Sequence, residues 1–393
     1  MAAVRSSPVP FSEPPALLAD QDGLAALLER LRAEPLLAVD TEAASFHRYH
    51  DRVYLLQIST RTHTWLVDPL GVAGLPGLGD VLLDPAVEIV FHDADYDLRL
   101  LHHEFGIRAA RLFDTRIAAQ FLNEPGIGLA TLLEKYFGVK LDKRYQRADW
   151  SLRPLPPPML AYAAEDTRWL PELRDLFRSR LADMGRLAWV EEEFELLTRV
   201  QWPAPATPEE AALGVKGARA LKPRALAVFR ELYVWRDRTA AALDRAAFRV
   251  LGNEALFLLA ERTPRTLAQL AAVPGVGKET VSRRGDEVLA AIARGLALPE
   301  DQLPRYARGL RYRPDPAFDA RVERLKAMRA GAAERLNLQP GVLAPNWLLE
   351  AVARAVPATR EDLARVEGIR RWQVEAIGEE LLRAVGQSQQ SSS

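Results

Sequence analysis

Leu36-Leu37-Ala38-Val39-Asp40-Thr41-Glu42 closes an apolar run with two carboxylates two residues apart. On a β-strand, residues two apart share a face, so the spacing predicts that Asp40 and Glu42 emerge together at the end of a buried strand. Two hard oxygen ligands side by side suit Mg²⁺ or Mn²⁺. Taken alone, Asp-x-Glu recurs in many chains, and a solvated strand end is its commoner meaning. The surrounding sequence has to decide.

Working outward, residues 53–60 (VYLLQIST), 62–70 (THTWLVDPL) and 88–93 (EIVFHD) read as further strands beside 36–44. Residues 97–105, 115–123, 129–138 and a long stretch over 157–184 carry helical periodicity. Antiparallel strands followed by strand–helix units predict an α/β domain around a mixed sheet.

Two further acidic motifs fall in order behind the first. FHDADYDLRLL, residues 91–101, runs from a strand end into a helix. Asp93 or Asp95 suits the N-cap there, whereas Asp97, at the start of the apolar face, is placed to project into a cleft. His92 and the pair His102-His103 invite a zinc reading, but no other His stands at ligand spacing on a helix. In Tyr162-Ala163-Ala164-Glu165-Asp166 the phenol and the last carboxylate are four residues apart, on one helix face.

The 393 residues include 27 Pro and 23 Gly, which predicts two or three domains. With no Cys, the chain has no disulfide scaffold, thiolate metal site or Cys nucleophile, and it suits a reducing, cytoplasmic compartment. No run approaches a membrane span and the N-terminus lacks an apolar signal core, so neither membrane nor secretion is expected. The formal charge of −1 hides an asymmetry. Residues 1–217 hold 23 Lys+Arg against 32 Asp+Glu, and residues 218–386 hold 29 against 21. An acidic half fits cation binding, and a basic half fits an anionic partner.

Pro/Ser-rich residues 1–20 and the tail 387–393 read as disordered, and the prolines of 198–217 read as a linker, with Thr207 capping a new helix. The chain between them, 21–197, is the α/β domain. Beyond the linker the pattern is helical and internally repeated. A gapless shift of 93 residues superimposes Leu232 on Leu325, Arg236 on Arg329, Asn253 on Asn346, Pro264 on Pro357, Gly275 on Gly368 and Gly285 on Gly378. Two small all-α bundles follow, over 218–296 and 312–386, joined by a basic linker, 297–311. GVGKET, residues 275–280, lacks the upstream Gly of a phosphate loop, so no nucleoside triphosphate is expected. Between the copies, Arg305, Tyr306, Arg311 and Tyr312 combine phosphate-neutralising and base-stacking types; a solvated linker is the bland alternative.

The ordered set over residues 36–185 resembles the DEDD superfamily of 3′–5′ exonucleases with Tyr in the third motif, and most closely the ribonuclease D family. Supporting stretches are YLLQIST (54–60), FDTRIAAQFL (113–122), GLATLLEKYFGVKLDK (128–143), RADWSLRPL (147–155) and YAAEDT (162–167). Residues 221–251 resemble the opening helices of HRDC domains, which bind nucleic acid. The resemblance implies a ribonuclease H-like fold and a site of Asp40, Glu42, Asp97, Tyr162 and Asp166. It further implies two divalent cations about 4 Å apart. Asp40 would bridge them, Glu42 and Asp166 would serve the water-activating cation and Asp97 the second, and Tyr162 would orient the water. Phe46, Arg48, Tyr49, Gln57 and His92 are then candidates for contact with terminal nucleotides, ordinary packing being their alternative. The implied partner is RNA with a free 3′ end, tRNA precursors included, acted on by a monomer. A DNA exonuclease of the same superfamily and a non-catalytic RNA-binding protein remain the alternatives.

Overall fold

The computed structural model describes residues 15–306 and 315–386. Strands β1 (Ala16–Leu18), β2 (Leu36–Ala43), β3 (Val53–Ser59), β4 (Thr64–Val67), β5 (Glu88–Phe91) and β6 (Leu112–Asp114) form one sheet. Their order is β1-β4-β3-β2-β5-β6. The β2–β3–β4 meander is antiparallel, and β1, β5 and β6 each join their neighbour in parallel. Every residue of β3 is buried, as a central strand covered on both faces requires. The mixed sheet with flanking helices is the fold expected.

Three boundaries differ from expectation. Residues 15–20 are ordered: Ala16–Leu18 pair with Trp65–Val67, and the Asp20 carboxylate accepts from Gly23 N at 2.7 Å to cap the helix Gln21–Leu31. Three residues are too few to show alternation, which hid both β1 and β6. The long helix over 157–184 is two helices, Pro157–Arg168 and Leu170–Asp183. Pro171 cannot donate to the carbonyl of Thr167, so the helix breaks at Trp169. The helix expected after Thr207 is Pro208–Gly214, started by a Thr207–Glu210 capping box, but its Ala212 is buried in the first bundle's core, so this part of 198–217 is bundle and not linker.

The internal repeat is visible helix by helix. Helices Pro223–Ala242, Ala247–Val250, Asn253–Arg262, Leu267–Ala271 and Lys278–Ala297 have counterparts starting at Pro316, Pro340, Asn346, Arg360 and Arg371, each shifted by 93. The polar wiring repeats as well. Arg236 donates to Leu251 O and Asn253 Oδ1, and Arg329 donates to Ala344 O and Asn346 Oδ1. Gly275 and Gly368 share a left-handed turn, at φ 82° and 80°.

The two bundles pack differently. The first has its own apolar core around Phe229, Leu232, Leu256 and Val288. The core of the second is continuous with that of the α/β domain. Trp372 stacks on Trp189 at 5.1 Å and meets Phe121 edge-on at 5.3 Å. The Glu192 carboxylate accepts from the main-chain N–H groups of Arg371 and Trp372 at 2.8 and 3.0 Å.

Candidate active site

Asp40 and Glu42 leave the last turns of β2, where the pairing with β3 shifts register between Glu42 and Ala43. Such an irregularity re-aims a strand end, and here it sits beside the carboxylates. Opposite them, the helix Pro157–Arg168 lies across the sheet, with Met159, Ala163 and Ala164 packed on Tyr54, Leu55 and Leu66. Buried Ser59 Oγ lies 2.7 Å from both Thr64 Oγ1 and Thr167 Oγ1, which fixes that helix on the sheet. Its exposed-cleft face then carries Tyr162 and Asp166 to the strand end.

Carboxylate oxygens of Asp40, Glu42 and Asp166 come within 4.8 Å of one another. Asp97 stands outside that group of three, in the first turn of the helix Asp95–Phe105, where its charge still acts on Asp40 and it accepts a hydrogen bond from Thr41 Oγ1. Burial, with the charges of Asp97 and Asp166, holds Asp40 well above the usual carboxylate range. Burial, with the charges of Asp40, Asp166 and Asp97, does so for Glu42. Burial pushes Asp97 and Asp166 each up to about 7. Like charges this close disfavour one another's ionisation, and a hard divalent cation relieves the repulsion. The donor set fits such a cation.

Burial and the charges of Asp166, Glu42 and Asp40 raise Tyr162 far above an ordinary phenol, so it stays protonated and donates to Asp166. Tyr145, at 5.8 Å, and Trp150, at 6.1 Å, flank its ring.

The second motif resolves cleanly. Asp93 is exposed and pairs with Arg116 at 2.7 Å, and Asp95 pairs with Arg99 at 2.8 Å, whereas Asp97 is buried. Neither exposed acid caps the helix. Buried Asp114 caps its own helix, Thr115–Phe121, through the N–H groups of Arg116 and Ile117, and also accepts from the N–H groups of Asp93 and Ala94 just ahead of the helix Asp95–Phe105. Its position at a strand end, before Thr115, was the available signal.

The substrate candidates separate. Phe46 is 43% exposed, four residues past Glu42, with the Arg147 guanidinium 5.2 Å from its ring centre. Gln57 is fully buried opposite Asp40, its Nε2 3.5 Å from Glu42 Oε1, so it touches the site from behind. His92 is kept neutral by burial and by Arg116, which lower it to about 4, and its Nδ1 lies 2.9 Å from Thr115 Oγ1. Arg48 and Tyr49 join the α/β domain to the first bundle. Arg48 donates to Ser151 at 2.7 Å and lies 3.8 Å from Asp244, and Tyr49 Oη donates to Asp237 at 3.0 Å. Tyr306 packs on the first bundle, donating to Leu213 O at 3.0 Å under Arg219. Arg305 is exposed, and Arg311 and Tyr312 lie outside the described residues. Sequence reasoning missed Lys140, Arg144 and Tyr145, which line a cavity of about 350 Å³ that also reaches Tyr162 and Asp166. The signal was present as basic residues interleaved with an aromatic over 140–145.

An α/β domain with a carboxylate cluster at its central strand end, followed by paired helical bundles, defines a class of nuclease. Residues 15–182 match the 3′–5′ exonuclease family model, and residues 225–292 and 318–385 each match the HRDC domain. The chain is 32% identical to ribonuclease D of Gluconacetobacter diazotrophicus over 96% of its own length and 94% of that protein's. The crystal structure of Escherichia coli RNase D, an exoribonuclease involved in structured RNA processing, matches with a TM-score of 0.70 at 27% identity, covering 95% of this chain and 99% of that one. The catalytic core of RRP6 from Trypanosoma brucei matches with a TM-score of 0.65 at 31% identity, covering 73% and 81%. The chain belongs to the ribonuclease D family and is a 3′–5′ exoribonuclease. Among the described residues, no helix is long and apolar enough to cross a membrane.

Proposed function

We propose that this exoribonuclease removes nucleotides one at a time from the free 3′ end of structured RNA precursors, tRNA precursors among them, as a cytoplasmic monomer. The observation that carries the reading is the convergence of Asp40, Glu42 and Asp166 beside the Tyr162 hydroxyl. Asp40, Glu42, Asp97 and Asp166 would hold two divalent cations, Mg²⁺ or Mn²⁺. When bound, such cations lower the pKa of the attacking water and stabilise both oxygens of an in-line displacement at phosphorus.

The protein's own groups do the rest. Asp40, whose carboxylate feels the charges of both Asp97 and Asp166, would be the ligand common to the cation site. Gln57 orients the Glu42 carboxylate from the adjacent strand. Tyr162 remains a phenol and orients the water by hydrogen bonding, without giving up its proton. Phe46, exposed past the strand end, offers a face on which a terminal base stacks. In this reading, residues 21–197, extended by β1, form the catalytic unit, and 218–296 and 312–386 handle the rest of the RNA.

Incubation with a 3′-extended tRNA precursor, and with a DNA strand of matched sequence, tests the substrate. The expected result is trimming of the extension by single nucleotides, with the DNA degraded far more slowly. Equal degradation of the two, or an untouched precursor beside degraded unstructured RNA, would overturn it.

A further inference from the structure

The helix Asp95–Phe105 carries Asp97, the carboxylate of the site that stands outside the group formed by Asp40, Glu42 and Asp166. Where that helix lies therefore decides whether Asp97 can share a cation with Asp40. Three fastenings hold it. Just ahead of its start, Asp114 accepts from the N–H groups of Asp93 and Ala94. At its far end, Glu104 accepts from Val53 N at 2.7 Å and from Arg52 Nε at 2.9 Å. The third fastening comes from the segment that leaves the α/β domain for the first bundle.

That segment crosses the outer face of the helix. Trp202 lies flat on His103, with ring centres 5.1 Å apart and planes at 20°, and meets Tyr96 at 6.0 Å. Next to it, the Gln201 carbonyl accepts from Arg99 Nη1, whose guanidinium also bonds Asp95. Tyr96, Arg99 and His103 follow one another at spacings of three and four, so they form a single stripe of the helix, and Asp97 directly adjoins it. Burial and the charge of Asp51, which it faces, raise the Tyr96 phenol far above its ordinary value. Trp202 is partly buried against the apolar core of the catalytic domain, which is not the setting of a solvated linker residue.

We infer that Trp202 and Tyr96 are positioning residues: the strap at 201–202 holds the helix Asp95–Phe105 in the rotation that presents Asp97 to the second cation. The inference rests on the two-cation reading given under the proposed function. A helix is about 10–12 Å across with its side chains, so a roll of about 10° moves a carboxylate at its surface by about 1 Å. Displacement on that scale is enough to spoil a reacting geometry by about 100-fold. Groups that orient a metal ligand from behind contribute about 10- to 100-fold to metal affinity. Asp40, Glu42 and Asp166 ride on β2 and on the helix Pro157–Arg168, which Ser59 and Thr167 fasten separately. Loss of the strap should therefore fall on one cation and spare the other.

The test uses the full chain, stripped with chelator. Binding of Mn²⁺ is counted by electron paramagnetic resonance of the free ion, with adenosine 5′-monophosphate present to occupy the site, and trinucleotide hydrolysis is followed separately. The unaltered chain should bind two Mn²⁺. In Trp202→Ala one of the two should bind about tenfold more weakly and the other as before, while kcat on the trinucleotide falls about tenfold and KM stays within about twofold. Tyr96→Leu, which removes the ring against Trp202, should reproduce that pattern, and Trp202→Phe, which keeps a stacking ring, should restore most of the loss. Gln201→Ala removes an exposed side chain but leaves the carbonyl bonded to Arg99, and should match the unaltered chain. If the strap adds stability alone, the urea midpoint of Trp202→Ala will fall while both Mn²⁺ affinities hold, and the inference is overturned. Equal weakening of the two ions would overturn it as well. A single Mn²⁺ on the unaltered chain would instead contradict the two-cation reading itself, and this inference with it.

Discussion

Ser59 Oγ and Thr167 Oγ1 lie 2.7 Å apart with both residues buried, and this bond ties a central strand to the helix that brings Tyr162 and Asp166 over the sheet. The geometry of the site depends on that helix, because two of its functional groups ride on it and two on β2. Thr167→Val keeps the shape and removes the bond, leaving Ser59 with Thr64 as partner. It should lower stability by about 1 to 2 kcal/mol. Urea unfolding midpoints check this; an unchanged midpoint would show that packing alone seats the helix.

The carboxylate cluster sets a pH dependence whose sign can be worked out. The folded-state pKa values of Asp40, Glu42, Asp97 and Asp166 are raised by burial and mutual charge. The cluster therefore does not destabilise the fold below the unfolded carboxylate values near 4, and it costs stability as pH rises through the folded values, about 7 for Asp97 and Asp166. Bound divalent cations offset that cost. The rise in Tm on adding Mn²⁺ to chelator-treated protein should be small at pH 5 and larger at pH 8. A gain independent of pH would separate cation binding from these groups.

Tyr162→Phe removes only the hydroxyl that is bonded to Asp166. It should leave the fold and the metal-dependent rise in Tm in place while lowering kcat about 100-fold, with KM little changed. Because the phenol is held far above its ordinary pKa, the pH–rate profile of the unaltered enzyme should show no limb from its ionisation below pH 10. A kcat within twofold of the unaltered enzyme would remove Tyr162 from the reaction.

Gly295 lies where the last helix of the first bundle crosses Val228. A Cβ there would stand 2.5 Å from Val228 Cα, with backbone rather than a flexible tip in the way. Gly295→Ala should therefore destabilise the first bundle by about 1 to 3 kcal/mol while leaving the carboxylate site intact. Thermal unfolding should show the loss, and trinucleotide hydrolysis should persist at low temperature.

The parts of this molecule legible in its sequence are those set by short-range periodicity. Asp40 and Glu42 share a face because a strand has period two, and Tyr162 and Asp166 because a helix brings residues four apart together. The repeat was legible from identical residues at a fixed offset, down to the glycines with positive φ. What escaped was set by long-range contact. Arg48 and Tyr49 carry phosphate-binding and base-stacking chemistry, yet they are engaged by Asp244 and Asp237, nearly two hundred residues away. Asp114 accepts from four backbone N–H groups on two segments some twenty residues apart, an arrangement that no local pattern announces. The divergence of the two bundles lay in the positions where the repeats differ, Arg245 against Leu338 and Arg284 against Ile377, and identities alone do not reveal it.

The central claim is that the Asp40 carboxylate and its neighbours hold divalent cations that drive hydrolysis from the 3′ end. The most direct measurement follows a 5′-labelled single-stranded RNA with Mn²⁺, with chelator, and with Asp40→Asn. The account predicts a ladder shortened one nucleotide at a time from the 3′ end, abolished by the chelator and by the substitution. Internal cleavage products, or a full ladder from Asp40→Asn, would contradict it.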